Sequence, residues 1–174
     1  MTGLLLPFKG TTPRIDGSAF IAETATVIGD VEISADAGIW YGCTVRGDVN
    51  YIRIGAGTNI QDGSVIHVTT AKHPTVIGES VTVGHMALLH GCTLQDKSFV
   101  GMHATVMDGA VVEAGAMVAA GALVSPGKVV RTGELWGGVP ARCLRPMGET
   151  ERAMIDFTAP HYVNLAREYL SARD

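Results

Sequence analysis

The chain has 174 residues, of which 47% are hydrophobic and 17% charged, with a formal net charge of -4. This length fits one domain, and the balance excludes intrinsic disorder because enough apolar surface is present for a core. The negative charge argues against nucleic acid as the main partner, and no apolar run approaches the roughly eighteen residues of a membrane span. The sequence from Met1 to Pro7 lacks the basic flank of a signal peptide, so we expect a cytoplasmic location.

Small residues are used unusually. Glycine occurs 22 times, about 13% of the chain against a typical ~7%, yet no stretch has the composition of a flexible linker.

The three cysteines, Cys43, Cys92 and Cys143, are widely spaced and form no C-x-x-C pair. They predict buried free thiols rather than a disulfide framework.

After an N-terminal segment, residues 1–14, apolar residues recur every six positions. With insertions of three and five residues and one deletion, the count always arrives at Ile, Val or Leu. The nineteen positions are Ile15, Ile21, Val27, Ile33, Ile39, Val45, Ile54, Ile60, Ile66, Ile77, Val83, Leu89, Leu94, Val100, Val106, Val112, Val118, Val124 and Val130. The last seven follow one another without an offset, so they are the strongest part of the pattern.

A period of six fits neither a helix nor an alternating strand. It fits short strands that meet at corners, each with one aliphatic side chain inward and with Gly or Ala at the tight corners. Three such strands make one coil of about 18 residues, and successive coils stack about 4.8 Å apart. The repeat therefore predicts an all-β fold, a parallel β-helix of about six coils over residues 15–131.

The repeat ends after Val130, and residues 132–147 are interpreted as an exit turn because they contain Gly-Gly-Val-Pro. Residues 148–174 have a helical composition, and Pro160 is expected to break this segment, with a second helix over roughly 160–172. That helix has an apolar stripe that needs a surface to cover, on this chain or a neighbour. The stripe consists of Tyr162, Leu165, Ala166, Tyr169 and Leu170.

Stacked coils bring distant histidines together. Residues at the same place in hexads three apart lie one above the other, which puts His67 and His90 on one face, one coil apart. His85 falls on the preceding face, above Asp62. Asp62 either orients His85 through a hydrogen bond or satisfies backbone amides at the corner, and the sequence leaves both roles open.

Two imidazoles whose backbones lie about 4.8 Å apart can converge on one metal ion, but a third ligand is needed to hold it well. A corner separates His85 from the pair in the same chain. If such β-helices pack side by side, the His85 face of one chain meets the His67 and His90 face of the next, and a three-fold axis closes a trimer. The columns therefore predict a homotrimer whose metal ligands, His67, His85 and His90, come from two subunits.

Several motifs resemble those of a known family. They are Arg46-Gly47-Asp48, Asn59 to Gly63, His67, Gly84-His85, Leu89 to Cys92, Gly101-Met102, Met107 to Ala110, Trp136 to Arg142 and the C-terminal helix. Together they resemble the gamma-class carbonic anhydrase family over nearly the whole chain, most closely its short, anhydrase-like bacterial branch. The resemblance implies the triangular, left-handed β-helix of hexapeptide-repeat proteins.

The resemblance also implies roles for individual residues. The three histidines bind Zn²⁺, for which Fe²⁺ or Co²⁺ can substitute, with two histidines from one subunit and the third from its neighbour. Arg46 and Asp48 form an ion pair between subunits, Gln61 positions the metal-bound hydroxide, and Tyr162 is an active-site tyrosine. The ion pair also suits a purely structural role at an interface, and Tyr162 also suits core packing on the helix stripe.

The chemistry that the resemblance implies is the attack of metal-bound hydroxide on CO₂ to give bicarbonate, since three histidines leave Zn²⁺ an open position for water. Fast turnover also needs a route for the proton, and here the sequence departs from the family. Val49-Asn50 replaces a glutamate, and the loop at 68–75 has no carboxylate. His73 could carry protons or could simply be a solvated loop histidine.

Two other functions remain open from the sequence. A hexapeptide-repeat acyltransferase would use one histidine as a general base and bind acyl-CoA between subunits, with no need for two histidines in register. A non-catalytic metal-binding trimer would keep the histidines and lack the proton route.

Overall fold

The chain folds into a parallel β-helix of about seven turns that is followed by one α-helix. This computed structural model describes residues 3–172, so the first two residues of the predicted N-terminal segment and the last two of the C-terminal segment lie outside the described residues. The predicted all-β architecture with a C-terminal helix is confirmed.

The strands form three faces, and each coil contributes one strand to each face. The first face contains Leu4–Leu6, Val65–His67, Leu88–His90, Thr105–Val106 and Leu123–Val124. The second face contains Arg14–Ile15, Thr75–Ile77, Thr93–Leu94, Val111–Val112 and Val129–Val130. The third face contains Phe20–Ile21, Gly38–Ile39, Asn59–Ile60, Thr82–Val83, Phe99–Val100, Met117–Val118, Glu134–Gly138 and Ala141–Pro146.

Two long strands, Thr26–Ile33 and Thr44–Ile54, run across the corner between the first and second faces and join them into one sheet. They pair in parallel, with an irregularity in register after Gly29. Gly29 has φ of 77°, and a Cβ at this position would collide with the carbonyl oxygen of Gly47. The close stacking of the two strands at this corner therefore requires glycine.

The six-residue repeat forms the core. Of its nineteen positions, eighteen are at most 2% exposed. The remaining one, Ile15, lies near the N-terminal end of the β-helix and is half-buried against the same core. Strand pairing follows the predicted columns, since Ile66 pairs with Leu89 and Val83 pairs with Val100. The inward aliphatic side chains thus stack coil upon coil as the repeat predicts.

Additional strands at both ends explain why there are about seven turns rather than six. Leu4–Leu6 pairs with the start of Thr26–Ile33 and lies ahead of the first counted hexad. At the other end, Glu134–Gly138 pairs with Met117–Val118 and returns antiparallel as Ala141–Pro146. The segment interpreted as an exit turn, residues 132–147, is therefore largely a β-hairpin.

The C-terminal helix spans Glu149–Ser171 without a break, so the prediction that Pro160 separates two helices is wrong. Proline within a helix loses one backbone hydrogen bond, a cost of about 3 kcal/mol. The helix continues because residues on both sides of Pro160 pack on the β-helix, among them Ile155 and Ala166, which are 8% and 4% exposed. Between residues 3 and 172, no helix has the length and apolarity to cross a membrane.

The helix covers the third face of its own chain. Leu165 and Leu170, from the predicted stripe, pack against the core. Tyr169 contacts the rings of Phe20 and Trp40, with centroids 5.6 and 5.4 Å apart. The apolar stripe of the helix is thus covered by the third face of the same chain.

The cysteines are free, but only two of them fit the sequence prediction. Cys43 and Cys92 are buried, and Cys143 is exposed. Cys143 lies on the returning strand Ala141–Pro146, most of which faces solvent. The prediction of a buried thiol is wrong there because the hexad pattern, which places side chains inward, has already ended.

Candidate metal centre

His67 and His90 end two neighbouring strands of the first face, Val65–His67 and Leu88–His90, and are directly paired in register. Nδ1 of His67 lies 3.1 Å from Nε2 of His90, and the ring centroids are 5.1 Å apart. The structure therefore brings together the two histidines that the columns place one coil apart, despite the inserted loop between them.

Each imidazole of this pair also contacts a carboxylate. Nε2 of His67 lies 2.9 Å from Oδ1 of Asp48, and Nδ1 of His90 lies 2.6 Å from Oδ1 of Asp108. Burial alone would raise the pKa of both carboxyls, but hydrogen bonds from the histidines, together with Arg46 on Asp48 and Thr69 on Asp108, hold both pKa values below the usual range. At neutral pH both aspartates are therefore ionised, and they can accept hydrogen bonds but cannot donate them.

The pair lies between two negative charges. Nδ1 of His67 and Nε2 of His90 face each other, while the outer nitrogen of each ring is held by an ionised carboxylate, that of Asp48 or of Asp108. The gap between the rings is a place for a cation.

A metal ion fits this donor set. Two nitrogens at ~2.0–2.1 Å from a tetrahedral ion are about 3.3 Å apart, close to the 3.1 Å separation in the chain. The flanking carboxylates would offset the charge of the ion and orient the rings. Among residues 3–172, however, no three His, Cys, Asp or Glu side chains are grouped so as to hold a metal.

His85 lies at a different corner, two residues after the end of the third-face strand Thr82–Val83. Its Nδ1 is 2.9 Å from Oδ2 of Asp62, and its side chain is 39% exposed. Of the two roles that the sequence left open for Asp62, the structure thus shows the contact with His85. With Nδ1 occupied, Nε2 of His85 is the nitrogen left for another partner.

Gln61 and Tyr162 lie with His85 along a groove of about 510 Å³ between the third face and the helix. Gln61 is 5% exposed, and its Nε2 donates a hydrogen bond of 3.0 Å to Oδ1 of Asn59, which fixes the orientation of the amide. Burial, and then the charge of Asp62, raises the pKa of the Tyr162 hydroxyl. Tyr162 is therefore protonated at neutral pH and can donate a hydrogen bond into the groove.

The structure thus divides the predicted site residues into two groups. Arg46, Asp48, His67 and His90 lie together on the first face, whereas Gln61, His85 and Tyr162 lie at the groove beside the helix. Arg46 forms an ion pair with Asp48 of its own chain, while the resemblance implied a pair between subunits. The two groups lie on different faces of the β-helix.

The contact of Asp108 with His90, and the hydrogen bond of Thr69 to Asp108, are not predicted from the sequence. The available signal is the column that places Met107, the neighbour of Asp108, beside His90. His73, on the same loop as Thr69, is half-buried and packs over Gly91, where a Cβ would lie 2.8 Å from the Cβ of His73. His73 is thus partly solvated, and its two possible roles, as a carrier of protons or as a solvated loop histidine, stay predictions.

Comparisons with known proteins identify relatives of the chain. No protein-family model matches the chain. The chain is 52% identical over 162 residues to "Gamma carbonic anhydrase 1, mitochondrial" of Arabidopsis thaliana, covering 90% of this chain and 59% of the relative. It is 40% identical to "Carbonic anhydrase" of Geobacillus kaustophilus, covering 95% and 91% of the two chains. Thus the chain spans about 60% of the plant relative and nearly all of the bacterial one.

Among solved structures, the chain is similar to a hexapeptide transferase family protein from Anaplasma phagocytophilum. The TM-score is 0.92 at 50% sequence identity, and the match covers 97% of this chain and 99% of the other. The same β-helix and terminal helix therefore occur in a protein of similar sequence and length.

Proposed function

The chain belongs to the gamma carbonic anhydrase family, and on this basis we propose that it hydrates CO₂ to bicarbonate at metal sites between the subunits of a homotrimer. In this proposal His67 and His90 of one subunit and His85 of the next hold Zn²⁺, for which Fe²⁺ or Co²⁺ can substitute. A cytoplasmic location is part of the same proposal.

The observation that carries the proposal is the 3.1 Å approach of the His67 and His90 ring nitrogens between two ionised aspartates. The pair supplies two nitrogen ligands and lacks a third within its own chain. The half-exposed His85, held at Nδ1 by Asp62, supplies a third ligand of the same type from another face. Side-by-side packing around a three-fold axis would complete three identical sites.

When bound, such a metal ion supplies Lewis acidity that brings the pKa of a water ligand near 7. The remaining work falls to the chain. Because Nε2 of Gln61 donates to Asn59, Oε1 of Gln61 is the atom that can accept a hydrogen bond from a reacting group and fix the orientation of that group. Tyr162 donates a hydrogen bond to an oxygen of the substrate, since its hydroxyl stays protonated. The apolar walls of the groove suit CO₂, a substrate without charge.

Metal analysis and stopped-flow CO₂ hydration on protein purified without chelator test the proposal. We expect about three metal ions per trimer, and we expect the His90→Ala variant to lose the metal and to show only the uncatalysed rate. His161→Ala serves as the control for metal content, because His161 stacks on Phe157 and contacts Tyr162 but none of the three proposed metal ligands. Equal hydration rates with and without His90 would contradict the proposal.

The groove favours one other function, because about 510 Å³ is far more space than CO₂ needs. A hexapeptide-repeat acyltransferase would place an acyl thioester of CoA in this groove with His85 as general base. CoA-dependent acyl transfer that survives complete removal of the metal would favour this function. A trimer that binds metal but hydrates no CO₂ would instead support a non-catalytic role.

A further inference from the structure

The loop inserted after the strand Val65–His67 folds back on the coils and is held at several points. The backbone N–H of Thr69 donates a 2.9 Å hydrogen bond to the carbonyl oxygen of His73. Nδ2 of Asn50 donates a 3.1 Å hydrogen bond to the carbonyl oxygen of Thr69. Thr69 is therefore fixed in position although it lies in a loop.

The hydroxyl of Thr69 links the loop to Asp108, which lies 39 residues away in the sequence. Oγ1 of Thr69 donates a 2.8 Å hydrogen bond to Oδ2 of Asp108. The other carboxylate oxygen, Oδ1, accepts the 2.6 Å hydrogen bond from Nδ1–H of His90. Each oxygen of Asp108 thus has its own donor, which fixes the plane of the carboxylate.

The coil leaves room for this carboxylate. Gly91 follows His90 with φ of 57°, and a Cβ at Gly91 would collide with Oδ1 of Asp108. Any side chain at position 91 would push Asp108 away from His90. Gly91 thus leaves space for the carboxylate of Asp108, and the loop holds this carboxylate against Nδ1 of His90.

We propose that Asp108, braced by Thr69, is a positioning residue that keeps the proton of His90 on Nδ1 and so presents the Nε2 lone pair toward His67. A neutral imidazole has one N–H and one lone pair, and the partner of one nitrogen decides which tautomer forms. A bond at Nδ1 thus readies Nε2 as a ligand before any ion arrives. This inference rests on the proposed metal site and adds two residues that the sequence analysis did not assign.

The inference is tested with the full-length chain, first without metal and then with Zn²⁺ or Co²⁺. The variants are Asp108→Ala, which removes the acceptor, Thr69→Val, which removes only the hydroxyl, and Thr69→Ser, which keeps it. Asp96→Ala is the matched control, because Oδ1 of Asp96 likewise accepts a hydrogen bond across coils, from the backbone of Glu79, away from the histidines.

Nitrogen-15 NMR of the histidine side chains reports the tautomer of His90 in the metal-free protein. We expect Nδ1–H in the wild type, Thr69→Ser and Asp96→Ala, and mixed tautomers in Asp108→Ala. Competition with a chelator should show Zn²⁺ binding weakened about 10- to 100-fold in Asp108→Ala, less in Thr69→Val, and unchanged in Thr69→Ser. The visible spectrum of bound Co²⁺ should change in Asp108→Ala and Thr69→Val and stay the same in Thr69→Ser and Asp96→Ala.

The outcomes separate this inference from the proposed function. Nε2–H as the tautomer of wild-type His90, or wild-type Zn²⁺ affinity in both Asp108→Ala and Thr69→Val, overturns the positioning role. If Asp108→Ala does not fold, Thr69→Val decides, because it changes only one hydroxyl. A wild-type protein with Nδ1–H on His90 that binds no metal overturns the proposed function and leaves the orientation of His90 by Asp108 standing.

Discussion

The residues of the proposed site form two groups on different faces of the β-helix, here called half-sites, so in the proposed trimer subunits with different defects should repair one another. In the proposed trimer, each site takes His67 and His90 from one subunit and His85 from the next. His85→Ala and His90→Ala subunits, each inactive alone, are mixed in equal amounts, dissociated and reassembled at random. A site is intact only when the subunit that gives the pair carries the His85 change and its neighbour carries the His90 change. Each condition holds for half of the subunits, so about one quarter of the sites are restored.

The assay measures metal content and CO₂ hydration of the reassembled protein, and both should reach about 25% of the wild-type values. A mixture of His67→Ala with His90→Ala is the control. Both changes damage the same half-site, and no arrangement of these subunits gives one chain with both histidines intact. Absence of recovery in the first mixture, or equal recovery in the control, would show that the site is not divided between two subunits as proposed.

Three further results are expected. A thiol reagent at neutral pH should label Cys143 quickly and the other two cysteines only after unfolding, because burial raises the pKa of both buried thiols to about 12; rapid labelling of all three would contradict this. The hydrogen bond from Arg145, and then that from the backbone of residue 148, lowers the pKa of Glu151 to about 2 from a usual 4.5. The contribution of ionised Glu151 to stability should be complete above pH 4.5 and lost as the pH falls through 2. The difference in unfolding free energy between the wild type and Glu151→Gln, measured by urea unfolding, should therefore shrink between pH 6 and pH 3. Pro160→Ala should raise the unfolding free energy, by at most about 3 kcal/mol, since it restores a backbone donor within the helix; an unchanged or lower value would show that the proline is accommodated without cost.

Most of the fold could be predicted from the sequence because the six-residue repeat is a local pattern with a single structural solution. Every counted position needed only to be aliphatic and to point inward, and the burial of Ile66, Leu89 and their equivalents follows from that. The pairing of His67 with His90 could be predicted for the same reason, since both directly follow core positions in one column. Where a side chain directly follows the repeat, its location is set by counting.

What could not be predicted depends on contacts outside the repeat. Pro160 is a local signal for a helix end, but packing of the helix on the third face outweighs it. The exposure of Cys143 depends on a hairpin that begins after the last hexad. The contact between Thr69 and Asp108 depends on the path of an inserted loop, which no periodic pattern describes.

The hairpin at the end of the β-helix also limits the growth of the structure. A stack of parallel coils ends in unpaired backbone groups, onto which another such stack could add and form a fibre. Here the last strand reverses direction, and the new edge, Ala141–Pro146, carries two arginines and ends in proline. Proline offers no N–H to an incoming strand, and the charged side chains repel a second copy of the same edge. The third face of the stack therefore ends in an edge that another copy extends poorly.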